Sequence, residues 1–157
     1  MPIQLKRDQL GQFNKIDAFR AVVEGMADAL GEKATGVALV AAGRMRGKQL
    51  AEELGLKGAT QSLEDATTKI SAVLGAEGSR LCIIDKIIQE GDLVKVYTSE
   101  TLCAVGGSEN SPPRCTFTLG IVWGIMTELM QSKVRGVHTE SQLHGNAYDV
   151  FEFTPIQ

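Results

Sequence analysis

Residues 114–131 (Arg-Cys-Thr-Phe-Thr-Leu-Gly-Ile-Val-Trp-Gly-Ile-Met-Thr-Glu-Leu-Met-Gln) carry apolar side chains almost all the way round a helix. That is the pattern of a buried element rather than a surface one. Gly120 and Gly124 are four residues apart and share one face. Each costs about 1 kcal/mol of helix stability relative to Ala, so the bare face they create must serve a close approach. The approaching group is either a neighbouring backbone or a flat ligand, and periodicity alone leaves both open.

A chain of 157 residues is one domain by length and buries roughly 70% of its unfolded surface, enough for a core without staples. We take residues 1–14 as a lead-in and 15–157 as that domain. With 16 basic against 19 acidic residues, it offers no electrostatic footprint for nucleic acid or an anionic membrane. No apolar run reaches the ~18 residues of a bilayer span, and the first residues lack a signal-peptide core. A soluble chain is expected, cytoplasmic or peripheral to a membrane. Cys82, Cys103 and Cys115 are an odd number, which reads as free thiols rather than a disulfide framework.

Along the chain, Ile16, Phe19, Val22, Val23, Met26 and Leu30 form one helical stripe, with Asn14 as expected N-cap and Gly31 as the stop. A second helix over 33–54 is rich in small residues, and its Gly36, Gly43 and Gly47 fall on one side. Arg44, Arg46, Lys48, Glu52 and Glu53 exclude it as a membrane span. A third helix is expected over 62–74, capped by Ser62. Residues 81–89 and 93–98 alternate as strands around Glu90-Gly91-Asp92, and a short third strand is expected over 101–105. After the Gly/Ser/Pro loop 106–114 and the central helix, 134–143 and 147–154 form a second hairpin about His144-Gly145-Asn146. On its last arm Ala147, Asp149, Phe151 and Phe153 share a face. The fold expected is α+β: an antiparallel sheet of four to five strands with helices on one side, in the order ααα-ββ(β)-α-ββ.

Signatures of chemistry are sparse. Gly-x-Gly-x-x-Gly, P-loop, His-Glu-x-x-His and Cys-x-x-Cys motifs are all missing. His138 reads as a solvated or hydrogen-bonded strand residue and His144 as a turn residue. Cys82 reads as a small core residue. Cys115 is the candidate reactive or acylated thiol, because a helix N-terminus lowers a thiol pKa. Cys103 lies across the Pro-Pro loop from it, and whether the two pair is open.

Three stretches together resemble the 4-vinyl reductase domain, also called hydrocarbon-binding, which is related to subunits of the TRAPP vesicle-tethering complex. They are Ala-Ala-Gly-Arg-Met-Arg-Gly-Lys-Gln-Leu-Ala-Glu-Glu-Leu-Gly (41–55), Cys-Thr-Phe-Thr-Leu-Gly-Ile-Val-Trp-Gly-Ile (115–125) and Glu-Ser-Gln-Leu-His-Gly-Asn-Ala-Tyr-Asp-Val-Phe-Glu-Phe (140–153). The likeness runs from about residue 15 onward. It implies helices on an antiparallel sheet, frequent dimerisation through helices, and an apolar cavity for an acyl chain, hydrocarbon or tetrapyrrole. The domain's name comes from proteins tied to bacteriochlorophyll synthesis, which points to a chlorophyll-type ligand or a role in photosystem assembly.

The chain departs from that family at two places. Cysteines that family members often carry in the last hairpin, suggestive of metal binding, correspond here to Ser141 and Asp149. The acylated cysteine that tethering subunits carry after the second helix has no counterpart in 56–62.

The expectation is therefore a non-enzymatic homodimeric binding module with no metal and no catalytic residues. A hydrophobic small molecule would lie beneath the central helix, lined by Phe117, Ile121, Trp123 and Met126, with Gly120 and Gly124 permitting close approach. The alternative is an assembly or scaffold protein whose pocket is packed shut. An enzyme using Cys115 is a third class without a cofactor motif to support it.

Overall fold

A computed structural model of the chain describes residues 7–57, 62–102 and 116–157. Four helices and four strands are present among these residues, in the order α1 (Ile16–Leu30), α2 (Glu32–Glu53), α3 (Leu63–Leu74), β1 (Ile83–Glu90), β2 (Leu93–Ser99), α4 (Thr116–Leu129), β3 (Val134–Glu140) and β4 (Asp149–Pro155). The chain divides into two compact units, Met1–Thr35 and Gly36–Gln157. The first contains α1, which has no fully buried residue. Its N-cap is Lys15 rather than the expected Asn14, and Lys15 provides no side-chain cap. Gly31 ends it as expected, at φ +86°, a conformation that L side chains rarely adopt.

The second unit is the α+β body, with helices on one side of an antiparallel sheet of order β1-β2-β4-β3. α3 starts where the sequence says it should: Ser62 Oγ accepts the Asp65 N–H at 3.1 Å, and Glu64 and Asp65 complement the positive helix end. It buries Ala66, Ile70 and Leu74, a spacing of four that is one helix face. β1 and β2 form the expected hairpin, with Gly91 in the turn at φ +61°. On the helix-facing side of the sheet Val94, Val96 and Thr98 of β2 pair with Phe153, Phe151 and Asp149 of β4. Val94, Val96, Phe151 and Phe153 join Ile70, Leu74, Ile121, Val122, Ile125 and Met126 in one apolar cluster.

The expected third strand does not extend through Thr101 and Leu102. Leu102 instead donates its N–H to the Leu81 carbonyl at 2.9 Å, folding the end of β2 back towards the start of β1. Residues 103–105 lie outside the described part, so the sheet has four strands among the described residues. The arms of the second hairpin are shorter than expected, because residues 142–144 wind into a 3₁₀ turn capped by Ser141. Among the described residues, no helix is long and apolar enough to cross a membrane.

Candidate functional site

Two of the predicted site residues face another helix. Gly120 and Gly124 of α4 meet Gly43 and Gly47 of α2. A Cβ added at Gly120 would stand 2.5 Å from the Val40 carbonyl oxygen and 3.0 Å from Gly43 Cα; one at Gly124 would stand 2.8 Å from Lys48 N and 2.9 Å from Gly47 Cα. The atoms met are backbone, which cannot swing away, so both pairs of glycines are needed for the helices to touch. Of the two approaches that the bare stripe left open, a neighbouring helix is the one that fills it. The glycines of the second helix, read as a face able to approach a neighbour or ligand, are the other half of this contact.

The remaining predicted residues of α4 spread over three environments. Ile121 is in the core, and Phe117 packs half-buried against it. Trp123 donates its indole N–H to the Val134 carbonyl at 2.9 Å and carries the Arg44 guanidinium 4.7 Å above its ring. Its ring also comes to 2.9 Å from the position of a Cβ on Gly136, so Trp123 is held between α2 and β3. Cys115, the candidate thiol, and Cys103 lie outside the described residues. Cys82 is buried just before β1, and burial first, then the carboxylates of Asp85 and Asp149, push its thiol up to about 12, which keeps it protonated and unreactive.

Of the six, Met126 lines a cleft formed by described residues. It helps line a half-open cavity of about 330 Å³ at the C-terminal end of α4, together with Leu129 and Met130 of the same helix, Leu63 opening α3, Val94 of β2 and Pro155 closing β4. Gln89 and Asp92 of the β1–β2 hairpin contribute the polar part of its wall. Methionines at 126 and 130 are one turn apart, and their unbranched thioethers fit irregular apolar shapes. That spacing is visible in the sequence; the convergence of four separate segments on it is not.

A second cluster gathers polar groups at the far end of β4. Asp149, 0% exposed, accepts from His138 Nε2–H at 3.1 Å, from Thr101 Oγ1–H at 3.1 Å and from the Gln142 N–H at 3.3 Å. Burial alone would raise its carboxyl, but the hydrogen bond and charge of His138, with Thr101 and Gln142, outweigh it and hold the group below the ordinary carboxylate value. His138 is thus the hydrogen-bonded strand residue of the two readings, its side chain only 4% exposed. Its Nδ1 is buried without a partner.

Asp149 and Ser141 are the two positions that match metal-suggestive cysteines in the resembled family, and they do not fit a metal here. Both Asp149 oxygens are engaged by protein donors, and Ser141 Oγ accepts the Leu143 N–H at 3.2 Å. Among the described residues no group of three or more His, Cys, Asp and Glu could hold a metal ion.

No protein-family model matches the chain, and no curated protein matches it either. Solved structures do share its fold. The phenol-responsive sensory domain of the transcription activator PoxR, solved with phenol, aligns with a TM-score of 0.73 at 14% identity, over 92% of this chain and 76% of that one. A trafficking protein particle complex subunit 3 from Naegleria fowleri, covalently bound to palmitic acid, aligns with a TM-score of 0.62 at 15% identity, over 90% of this chain and 93% of that one. The α+β architecture is therefore that of a sensory domain and of a TRAPP subunit. Identities this low establish the fold alone.

Proposed function

We propose that this protein is a non-enzymatic binding module for a small hydrophobic molecule, held in the cleft at the end of α4. The observation that carries the reading is the cleft itself, whose walls of Met126, Leu129, Met130, Val94 and Leu63 offer an apolar body a place out of water. Phenol and palmitic acid, bound by the two proteins of like fold, are both molecules with an apolar body and one polar end. The cleft's volume of about 330 Å³ falls at the small end of the ~300–1,000 Å³ range of ligand pockets, which favours a single ring or an acyl chain over a tetrapyrrole. The pigment and photosystem role implied by the resemblance to the 4-vinyl reductase domain is therefore the less favoured branch of this reading.

A scaffold acting through protein contacts is the second reading. It draws on the closed Gly120/Gly124 stripe and on the apolar residues that α2 turns outward. Homodimerisation belongs to either reading.

The test is a displacement titration of an environment-sensitive apolar dye, with solvent extraction and mass spectrometry of the purified protein. Micromolar to millimolar displacement by phenols or medium-chain alkyl compounds is expected. Leu129→Trp, which fills the half-open cleft, is expected to weaken it at least tenfold with little change in melting temperature. Absence of both a co-purified ligand and any displacement would overturn the reading.

A further inference from the structure

The cleft's apolar walls say what the body of a ligand must be, and its rim says what the polar end must be. Among its described lining residues, Asp92 alone carries a charge, and that charge is negative. Gln89, the other polar residue, donates its Nε2–H to the Gly91 carbonyl at 3.2 Å, which leaves its side-chain carbonyl oxygen as an acceptor. Two bases on flanking segments are matched by acids: Lys95 lies 3.6 Å from both Glu90 and Glu152, and Lys57 lies 3.7 Å from Glu52 and 3.9 Å from Glu128.

The helix ends at the cleft point the same way. Met126 and Leu129 belong to the last turn of α4, the negative end of the helix dipole; the Met126, Thr127 and Glu128 carbonyls there accept the Met130, Ser132 and Gln131 N–H groups, so the dipole rather than free carbonyls supplies the attraction. The opposite, positive end of α3 at Leu63 is already complemented by Glu64 and Asp65. A carboxylate entering the cleft would meet a carboxylate and a helix C-terminus, whereas an ammonium group would be attracted by both.

We infer that the cleft takes a hydrophobic amine in its protonated form, with the ammonium group at Asp92 and the apolar body against Met126, Leu129 and Met130. The inference rests on the binding-module reading and narrows it, since it sets this site apart from one that receives a fatty carboxylate. Asp92 is exposed in the hairpin turn, and Gly91 rather than Asp92 supplies the positive φ, so replacing Asp92 leaves the turn intact.

Calorimetric titration of the full chain with octylamine, octanol and octanoate at pH 7 and low salt tests it. An exposed ion pair is modest, so the amine is expected to bind about 5- to 10-fold more tightly than the carboxylate, with the alcohol between them and the gap narrowing as salt is raised. Asp92→Asn should lower the amine's affinity more than the alcohol's, and Asp92→Lys should reverse the order of amine and carboxylate. Octanoate binding as tightly as octylamine, or an amine preference untouched in both variants, would overturn the inference while the binding module stands. If none of the three compounds binds, this inference falls, and the binding-module reading is decided separately by the dye displacement and solvent extraction.

Discussion

Asp149 is a carboxylate with no exposed surface whose partners come from three places in the chain: Thr101 after β2, His138 on β3, and the Gln142 N–H in the turn. Because its carboxyl is held below the ordinary value, the folded state takes up a proton at lower pH than the unfolded chain does. The stability it contributes is therefore complete above the ordinary carboxylate value, near pH 4, and is lost as pH falls through the lowered folded value. Asp149→Asn is expected to cost on the order of 3 kcal/mol at pH 7, because it leaves a buried imidazole without its charged partner. It should also flatten the acid limb of stability relative to the wild type. Urea denaturation of both proteins from pH 7 to pH 2 checks this, and parallel acid limbs would show that the carboxylate does not titrate as its contacts imply. The sequence placed Asp149 on the face shared by Phe151 and Phe153, but not its partner, because the His138 pairing depends on a register shift between His138 and Glu140 that no local pattern announces.

At the scale of elements, the α2–α4 contact is made by removing side chains. Gly43, Gly47, Gly120 and Gly124 let two backbones meet where a Cβ at Gly43 would stand 2.5 Å from the Phe117 carbonyl oxygen. Gly120→Ala therefore sets two effects against each other: the propensity gain of up to about 1 kcal/mol and the overpacking cost of about 1–3 kcal/mol. Overpacking should win, because the obstructing atoms are main chain of a long helix. Gly25→Ala in α1, where nothing lies within 4 Å of the new Cβ, keeps only the propensity gain and serves as the control. Thermal melts of the two variants should shift in opposite directions; a stabilised Gly120→Ala would mean that the helices are not in contact there. Both glycine stripes were legible as periodicity, and so were the cap of α3 and the β1–β2 hairpin, since each rests on residues within one or two turns of each other. The cleft was not, because Leu63, Asp92, Met130 and Pro155 come together only through the sheet order, and only Met126 marked it in advance.

For the whole molecule, the unusual element is α2, which is apolar on opposite sides. One side, with Gly43, Gly47, Leu50 and Ala51 buried, faces inward. Along the other, Val37, Ala38, Ala41 and Met45 are exposed, with Val37 at 66% and Met45 at 62%. These four follow the i, i+1, i+4, i+8 spacing of a single stripe, and small residues in its middle allow a close approach by another helix. In a twofold dimer one helix stripe meets its own copy, so each substitution enters the interface twice. Val37→Glu with Met45→Glu would bring like charges together, at a cost of several kcal/mol, while disturbing nothing in the monomer's core. Light scattering coupled to size exclusion is expected to give twice the chain mass for the wild type and the single chain mass for the double variant, with melting of the isolated chain unchanged. A wild type that stays at single mass up to high concentration would remove the homodimer and leave the cleft to act within one chain.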